Sequence, residues 1–272
     1  MSGSSPISRP PSRSCERRSI ARSVLSALTQ LLLPAECLLC HALLSQDHAD
    51  DLVCAVCRHR WRAVVPPWCD RCGQPEPWFG ACRICSDWPA ALAHVRSAVW
   101  LDAAARRAVH ALKYGGLPHV ARDLSAVMAR MHHVAPAPAC LVPVPLGSRR
   151  LAARGYNQSE VLAFRLGARW QLPVVRLLRR VRETATQTAL TPAARLANVA
   201  GAFQAGNAEG GAANDAGEIS SAFPLPRSMF ILVDDVFTTG ATLAAAARAL
   251  EEAGARSVHA VTFGRAIIPD FT

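Results

Sequence analysis

Residues 229–242 read MFILVDDVFTTGAT, and this stretch decides the fold of the chain. The apolar run Met229–Val233 is typical of a strand that is buried on both faces of a parallel sheet. The alanine-rich segment Ala241–Glu252 predicts a helix that ends before Gly254, and Ser257–Phe263 predicts another strand. This order of elements indicates an α/β domain with a doubly wound parallel sheet.

The turn between this strand and this helix has the composition of a phosphate site. Unsatisfied N–H groups at a helix N-terminus favour an anion, a glycine allows close approach of the backbone, and threonine hydroxyls add donors. Asp234 and Asp235 would repel a phosphate, so they are expected to face ribose hydroxyls and the hydration shell of Mg²⁺. A purely structural turn would leave most of the motif without a role. The predicted sugar 5-phosphate site has phosphate contacts at Thr238, Thr239, Gly240, Ala241 and Thr242.

The segment before this motif also alternates strands and helices. The predicted strands are Val95–Leu101 and Leu141–Pro145, and the predicted helices are Ala103–Leu112, Val120–His133 and Ser159–Trp170. Residues 91–272 therefore form the predicted α/β domain. Within it, residues 204–227 are rich in Gly, Ala, Ser and Asn, which is typical of a disordered insertion.

Eight of the ten cysteines fall into four Cys-x-x-Cys pairs. Two residues between thiolates allow one tight turn to present both sulfur atoms to a tetrahedral ion, and two such turns complete a zinc site. The spacing predicts two consecutive zinc ribbons with two structural Zn²⁺, rather than a disulfide framework, which would require an oxidising compartment. The predicted ligands are Cys37, Cys40, Cys54, Cys57, Cys69, Cys72, Cys82 and Cys85.

Positive charge is concentrated in one part of the α/β domain. The formal net charge is +10, and residues 149–195 contain ten arginines against Glu160 and Glu183. A polyphosphate ligand or a nucleic acid is the partner expected for such a stretch. The single lysine, Lys113, precedes a Gly-Gly pair and is either a site residue or a solvated cation at a helix end.

The N-terminal part of the chain is predicted to contain a tail and a small module. Residues 1–23 are rich in Ser, Pro and Arg and predict a disordered basic tail, and residues 24–90 predict a helix at 24–33 followed by the double zinc ribbon. No segment has the roughly 20 apolar residues that span a bilayer, and no secretory cleavage pattern is present. A cytoplasmic protein without membrane insertion is expected, with an organellar transit peptide as the alternative interpretation of the Arg-rich start.

The phosphate turn resembles the signature loop of type I phosphoribosyltransferases over about a dozen positions. Further motifs resemble the ComF competence-protein family: Leu112–Gly116, Val142–Pro145, Arg154–Gln158 and a spaced set of residues from Arg180 to Phe203. Together with the cysteine module, the resemblance covers residues 31–265.

This resemblance implies a type I phosphoribosyltransferase domain behind a double zinc ribbon. It implies binding of phosphoribosyl pyrophosphate with Mg²⁺, with Asp234 and Asp235 as catalytic residues and a pyrophosphate loop at Leu146–Arg150. A mobile loop is implied within Arg179–Arg195. The arginines expected to bind the ligand are Arg149, Arg150 and Arg154. The resemblance also implies a link to DNA uptake or utilisation, and it does not name an acceptor substrate.

Two classes of function are consistent with these patterns. The first is an enzyme that transfers a pentosyl group and displaces pyrophosphate. The second is a non-catalytic protein that binds single-stranded DNA, or a scaffold that recruits a helicase-like partner. The intact acid pair favours ligand binding, because a groove for DNA would gain affinity by losing two carboxylates.

Overall fold

The computed structural model describes residues 35–44, 51–75, 82–134, 139–182, 199–206 and 229–267. The chain divides after Cys54 into two compact units. The predicted tail, the predicted helix at 24–33, residues 183–195 of the predicted mobile loop and residues 207–227 of the predicted insertion lie outside the described residues. Within the described ranges, no helix combines the length and the apolar character that a membrane crossing requires.

The second unit contains six α-helices and six strands among its described residues. In chain order they are α1 (Ala55–Arg60), β1 (Leu92–Trp100), α2 (Ala103–Tyr114), α3 (Ala121–Met128), β2 (Ala139–Pro143), α4 (Ser148–Arg154), α5 (Gln158–Trp170), β3 (Leu178–Arg180), β4 (Phe203–Ala205), β5 (Met229–Phe237), α6 (Ala241–Glu252) and β6 (Ser257–Arg265). Short 3₁₀ turns at Pro118–Val120 and Ala129–Val134 flank α3.

Four parallel strands form the main sheet in the order β1-β6-β5-β2, and β3 pairs with β4 in a separate antiparallel ribbon. Helix α5 packs on β2 and β5, whereas α6 packs on β1, β5, β6 and the ribbon. Successive side chains of a strand point to opposite faces of the sheet. Val142 and Leu232 belong to the core on the face covered by α6, whereas Leu141 faces Gly167 of α5 on the other face. The predicted α/β fold with a parallel sheet is confirmed.

Several element boundaries differ from those predicted. Strand β5 continues past Val233 to Phe237, because pairing with β6 extends through Asp234–Thr262 to Phe237–Arg265. The acid pair therefore lies inside the strand rather than after it. The helix predicted at Val120–His133 is divided into α3 and two 3₁₀ turns, and the first two residues of the predicted insertion belong to β4.

Four of the predicted zinc ligands, Cys69, Cys72, Cys82 and Cys85, contribute to the core of the α/β unit. Cys72 and Cys85 are buried in one cluster with Trp88 and with side chains of β5 and α6. Arg265, at the end of β6 and only 2% exposed, donates from Nη1 to the Cys72 carbonyl at 2.9 Å. Arg71 donates to the Cys85 carbonyl at 2.9 Å. These cysteines thus pack in the same core cluster as side chains of β5 and α6.

Candidate functional site

A cavity of about 260 Å³ opens where β2 and β5 end, at the carboxyl edge of the sheet. Ligands of open α/β sheets bind at this edge, because the loops that follow adjacent strands separate there. We call this cavity the first chamber. Its polar lining includes Lys113, Arg150, Arg180, Asp234, Asp235 and Thr238.

The acid pair is compensated by a single lysine. Lys113 Nζ, from the last turn of α2, lies 2.6 Å from Asp235 Oδ2. Burial raises the pKa of Asp234 to about 7, and the charge of Asp235 adds to the effect. Burial alone would lower the pKa of Lys113, but the Asp235 carboxylate outweighs it and raises the pKa. The lysine therefore stays charged and offsets the carboxylate beside it.

The start of α5 holds the first acid in place. Ser159 Oγ donates to Asp234 Oδ1 at 2.8 Å. Asn157 caps the same helix by accepting from the Ser159 amide at 3.1 Å, and its own amide donates to the Val144 carbonyl at 3.0 Å. The loop after β2, the start of α5 and the acid of β5 are thus fixed relative to one another.

The predicted phosphate turn also borders the first chamber. Thr238 and Thr242 line the first chamber. Gly240 is the N-cap of α6 and provides no side-chain cap, so no cap side chain competes for the N–H groups of the first turn. Ala241 is the first residue of the helix. Thr239 does not line the chamber, and its buried hydroxyl has no hydrogen-bond partner within the described part of the chain.

Gly240 has a packing role that the sequence did not reveal. Its φ of 77° lies in the left-handed region, which favours glycine. A Cβ atom at this position would lie 2.4 Å from Trp88 Cζ2 and 2.9 Å from Phe237 Cε2. Neither ring lines the first chamber, so the glycine allows α6 to approach the core rather than only a ligand.

The three arginines predicted to contact the ligand have different positions. Arg150 lines the first chamber and also a neighbouring cavity of about 490 Å³, which we call the second chamber. Arg154 lines only the second chamber. Arg149 is exposed on α4 and lines neither cavity.

The eight predicted zinc ligands form two groups of four, in which the sulfur atoms lie within 4.8 Å of one another. The groups are Cys37, Cys40, Cys54 and Cys57, and Cys69, Cys72, Cys82 and Cys85. The Sγ atoms of Cys40 and Cys54 are 3.8 Å apart, as are those of Cys69 and Cys85. Zn–S bonds of ≈ 2.3 Å in a tetrahedron place sulfur atoms about 3.8 Å apart, whereas a disulfide would place them at about 2.0 Å. Both donor sets therefore fit zinc.

The pKa shifts of the buried cysteines differ between the two groups. Burial alone would raise the pKa of Cys37, but N–H groups of the chain, including that of Cys54 at 3.3 Å, lower it to about 6. In the second group, burial and the neighbouring thiolates raise the pKa of Cys72 and bring that of Cys85 to about 12. A bound metal ion would supply the positive charge that these buried thiolates need.

Four polar residues of the first chamber were not singled out from the sequence as ligand contacts: Lys113, Gln158, Ser159 and Arg180. Lys113 was left between two interpretations, whereas Ser159 and Gln158 were not considered for the site. The signal for Lys113 was that it is the single lysine of the chain and precedes a Gly-Gly pair. Gln158 and Arg180 were noted only as parts of the motifs that carry the family resemblance. Ser159 offered no signal, because polar residues at a helix start usually cap the helix.

Comparisons with known proteins agree with this architecture. Residues 28–87 match the family described as double zinc ribbon domain, and residues 173–266 match the phosphoribosyl transferase domain. The DNA utilization protein YhgH of Salmonella typhi is 31% identical over 240 residues, which cover 84% of this chain and 96% of that protein. Competence protein ComFC of Bacillus subtilis is 28% identical over 253 residues, covering 84% and 94%. Competence protein F of Haemophilus influenzae is 31% identical over 139 residues, covering 51% and 55%.

Proposed function

This chain belongs to the ComF family of competence and DNA-utilization proteins, and we propose that it binds phosphoribosyl pyrophosphate with Mg²⁺ in the first chamber. The observation that carries the proposal is the arrangement of this one cavity. It joins an acid pair compensated by Lys113, a phosphate turn, and the arginines Arg150 and Arg180.

Each part of the proposed ligand has a chemically suitable counterpart. The N–H groups at the start of α6 and the hydroxyls of Thr238 and Thr242 suit the 5-phosphate. Asp234 and Asp235 suit the ribose hydroxyls, because carboxylates accept hydrogen bonds and repel phosphate. Arg150 and Arg180 suit the diphosphate, since guanidinium groups bind phosphate oxygens with charge-assisted hydrogen bonds.

Mg²⁺ fits this site as a companion of the ligand. Mg²⁺ usually keeps several waters and binds through one or two carboxylates together with substrate phosphates. Asp235 is already paired with Lys113, so the described side chains do not form a separate cage of oxygen ligands. When bound, the ion would neutralise charge on the diphosphate leaving group.

The reaction class that follows is pentosyl transfer. The bond from the anomeric carbon to the diphosphate oxygen breaks, and its electron pair leaves with pyrophosphate. The acceptor forms the new bond to the same carbon and releases a proton. The chain would orient the two reactants, and the acid pair would stabilise the positive charge that develops on the ribose. A role of this reaction in DNA uptake or utilisation is part of the proposal, because relatives carry those names.

Lys113→Met is expected to weaken binding of phosphoribosyl pyrophosphate by about tenfold to a hundredfold. The change leaves Asp235 uncompensated beside an anionic ligand, and a charge-assisted contact contributes about 1.5–3 kcal/mol. The double variant Lys113→Met/Asp235→Asn should recover part of the affinity, because it removes the unpaired carboxylate. Isothermal titration calorimetry would measure all three proteins.

Arg106→Met is the matched control, since Arg106 is exposed on the same helix α2 and its loss also removes one positive charge. Its affinity should stay close to that of the wild type. An affinity of Lys113→Met equal to that of Arg106→Met would refute the assigned role of the lysine.

A further inference from the structure

We propose that Arg71 and Trp88 are positioning residues for the 5-phosphate: they connect the second group of cysteines to the phosphate turn and hold that turn in the form that binds the ligand. The inference rests on the proposed function, and it assigns the second metal site a part in ligand binding. Neither residue lines the first or the second chamber, so both would act through the turn.

Trp88 packs against the phosphate turn from the side of the core. Its side chain belongs to a residue that is only 6% exposed, and a Cβ atom at Gly240 would overlap with its Cζ2 atom. Its ring lies edge to face with that of Phe237, the last residue of β5, at a centroid distance of 6.1 Å. Trp88 is therefore adjacent to both ends of the segment that leads from β5 into α6.

Arg71 fixes the backbone around Trp88. It lies between Cys69 and Cys72, inside one Cys-x-x-Cys turn of the second group. Its guanidinium group donates to four backbone carbonyls at 2.7–3.2 Å, those of Cys85, Trp88, Pro89 and Leu92. The guanidinium carbon also lies 6.0 Å from the centroid of the Trp88 ring. A side chain of the metal-binding turn thus holds the residue that contacts the phosphate turn.

Arg265 provides a second connection between the same two regions. Its guanidinium group lies 4.3 Å from the centroid of the Phe237 ring. It donates from Nη1 to the Cys72 carbonyl at 2.9 Å and from Nη2 to the Gln74 side-chain oxygen at 2.7 Å. The amide of Ala266 donates to the Phe237 carbonyl at 2.8 Å. The residue that precedes the phosphate turn is therefore also held by a side chain bound to the metal-binding turn.

These contacts are expected to affect the 5-phosphate more than the diphosphate. The 5-phosphate would be bound by N–H groups at the start of α6, and such donors bind an anion more tightly when the turn that carries them is already ordered. The proposed diphosphate ligands are Arg150 on α4 and Arg180 on β3, which belong to other elements. Loosening the phosphate turn should therefore separate the affinities for the two halves of the ligand.

The test is calorimetric titration of the full chain with ribose 5-phosphate and, separately, with pyrophosphate and Mg²⁺. Trp88→Phe and Arg71→Lys should each weaken binding of ribose 5-phosphate at least about tenfold, the loss expected for one hydrogen bond to a charged group, and should change pyrophosphate binding less than about threefold. A general loss of structure would weaken the binding of both probes.

The chain offers a matched control for each variant. Trp61 is only 4% exposed and packs edge to face on Phe263 of β6, so Trp61→Phe makes the same change in another part of the core. Arg83 is exposed on the other Cys-x-x-Cys turn of the second group, so Arg83→Lys is the control for Arg71→Lys. Both controls should bind both probes as the wild type does. Every protein compared should contain two Zn²⁺ and show a cooperative thermal transition.

Amide hydrogen exchange of the wild type tests the same connection without a substitution. Ribose 5-phosphate should slow exchange in residues 85–89 as well as in the phosphate turn, because ordering of the turn restricts the segment packed against it. Pyrophosphate should leave exchange in residues 85–89 unchanged. This measurement decides the question if a variant does not fold.

The outcomes separate the inference from the proposed function. If Trp88→Phe and Arg71→Lys bind ribose 5-phosphate as tightly as their controls do, or lose affinity for both probes equally, the inference is overturned and the proposed function stands. Slower exchange that is confined to the phosphate turn also overturns the inference alone. If the folded wild type binds neither probe, the proposed function fails and the inference fails with it.

Discussion

Cys72→Ser is expected to unfold the α/β unit. Cys72 is fully buried in the core cluster that contains Trp88 and residues of β5 and α6, and its carbonyl accepts a hydrogen bond from the buried Arg265. A structural zinc site contributes about 10–16 kcal/mol in small peptides, which is comparable to or larger than the total stability of a typical domain, about 5–15 kcal/mol. Loss of the second zinc site should therefore remove the cooperative unfolding transition of the unit.

Cys40→Ser is the matched control. Cys40 is an exposed ligand of the first group, and it belongs to the unit that ends at Cys54. Circular dichroism during heating should show a retained transition for Cys40→Ser and none for Cys72→Ser, and metal analysis should find two Zn²⁺ in the wild type. An unchanged transition of the α/β unit in Cys72→Ser would show that the second ribbon is an independent module.

Gly240→Ala is expected to destabilise the chain by about 2–5 kcal/mol and to distort the phosphate turn. The estimate combines the cost of a left-handed backbone for a residue with a Cβ, about 1–2 kcal/mol, with the cost of overpacking, about 1–3 kcal/mol. The overpacking arises because the new Cβ would lie 2.4 Å from Trp88. Denaturant unfolding would measure the loss, and the larger Gly240→Val should lose more.

Gly254→Ala separates the two causes of this effect. Gly254 has a φ of 100°, but a Cβ there would meet no atom within 4 Å. It should show only the cost of the backbone conformation. If Gly240→Ala destabilises the chain no more than Gly254→Ala does, overpacking of the new Cβ atom against Trp88 does not contribute to the loss of stability.

The sequence predicted the elements that depend on local patterns. The apolar run of β5 and the glycine before α6 indicated a strand–turn–helix, and α6 has the predicted bounds Ala241–Glu252. The Cys-x-x-Cys spacing indicated the two groups of four sulfur atoms. In both cases the decisive interactions join residues that are close in the sequence or share a regular period.

The parts that were not predicted depend on contacts between distant residues. The ion pair of Lys113 with Asp235 joins positions 122 residues apart, and a single lysine gives no periodic signal. The packing of Trp88 against the Gly240 turn was not predicted for the same reason, since it joins residues that are far apart in the sequence. The spacing of the cysteines predicted the two metal sites. It did not predict the surface against which the second metal site packs.

The most direct test of the central claim is calorimetric titration of the wild-type chain with phosphoribosyl pyrophosphate, with and without Mg²⁺. The first chamber predicts one saturable site per chain, with a dissociation constant in the range common for enzyme substrates, about 1 μM to 1 mM, and with tighter binding when Mg²⁺ is present. The absence of any saturable binding by folded protein that contains two Zn²⁺ would contradict the account. The non-catalytic DNA-binding or scaffold function would then be the better explanation.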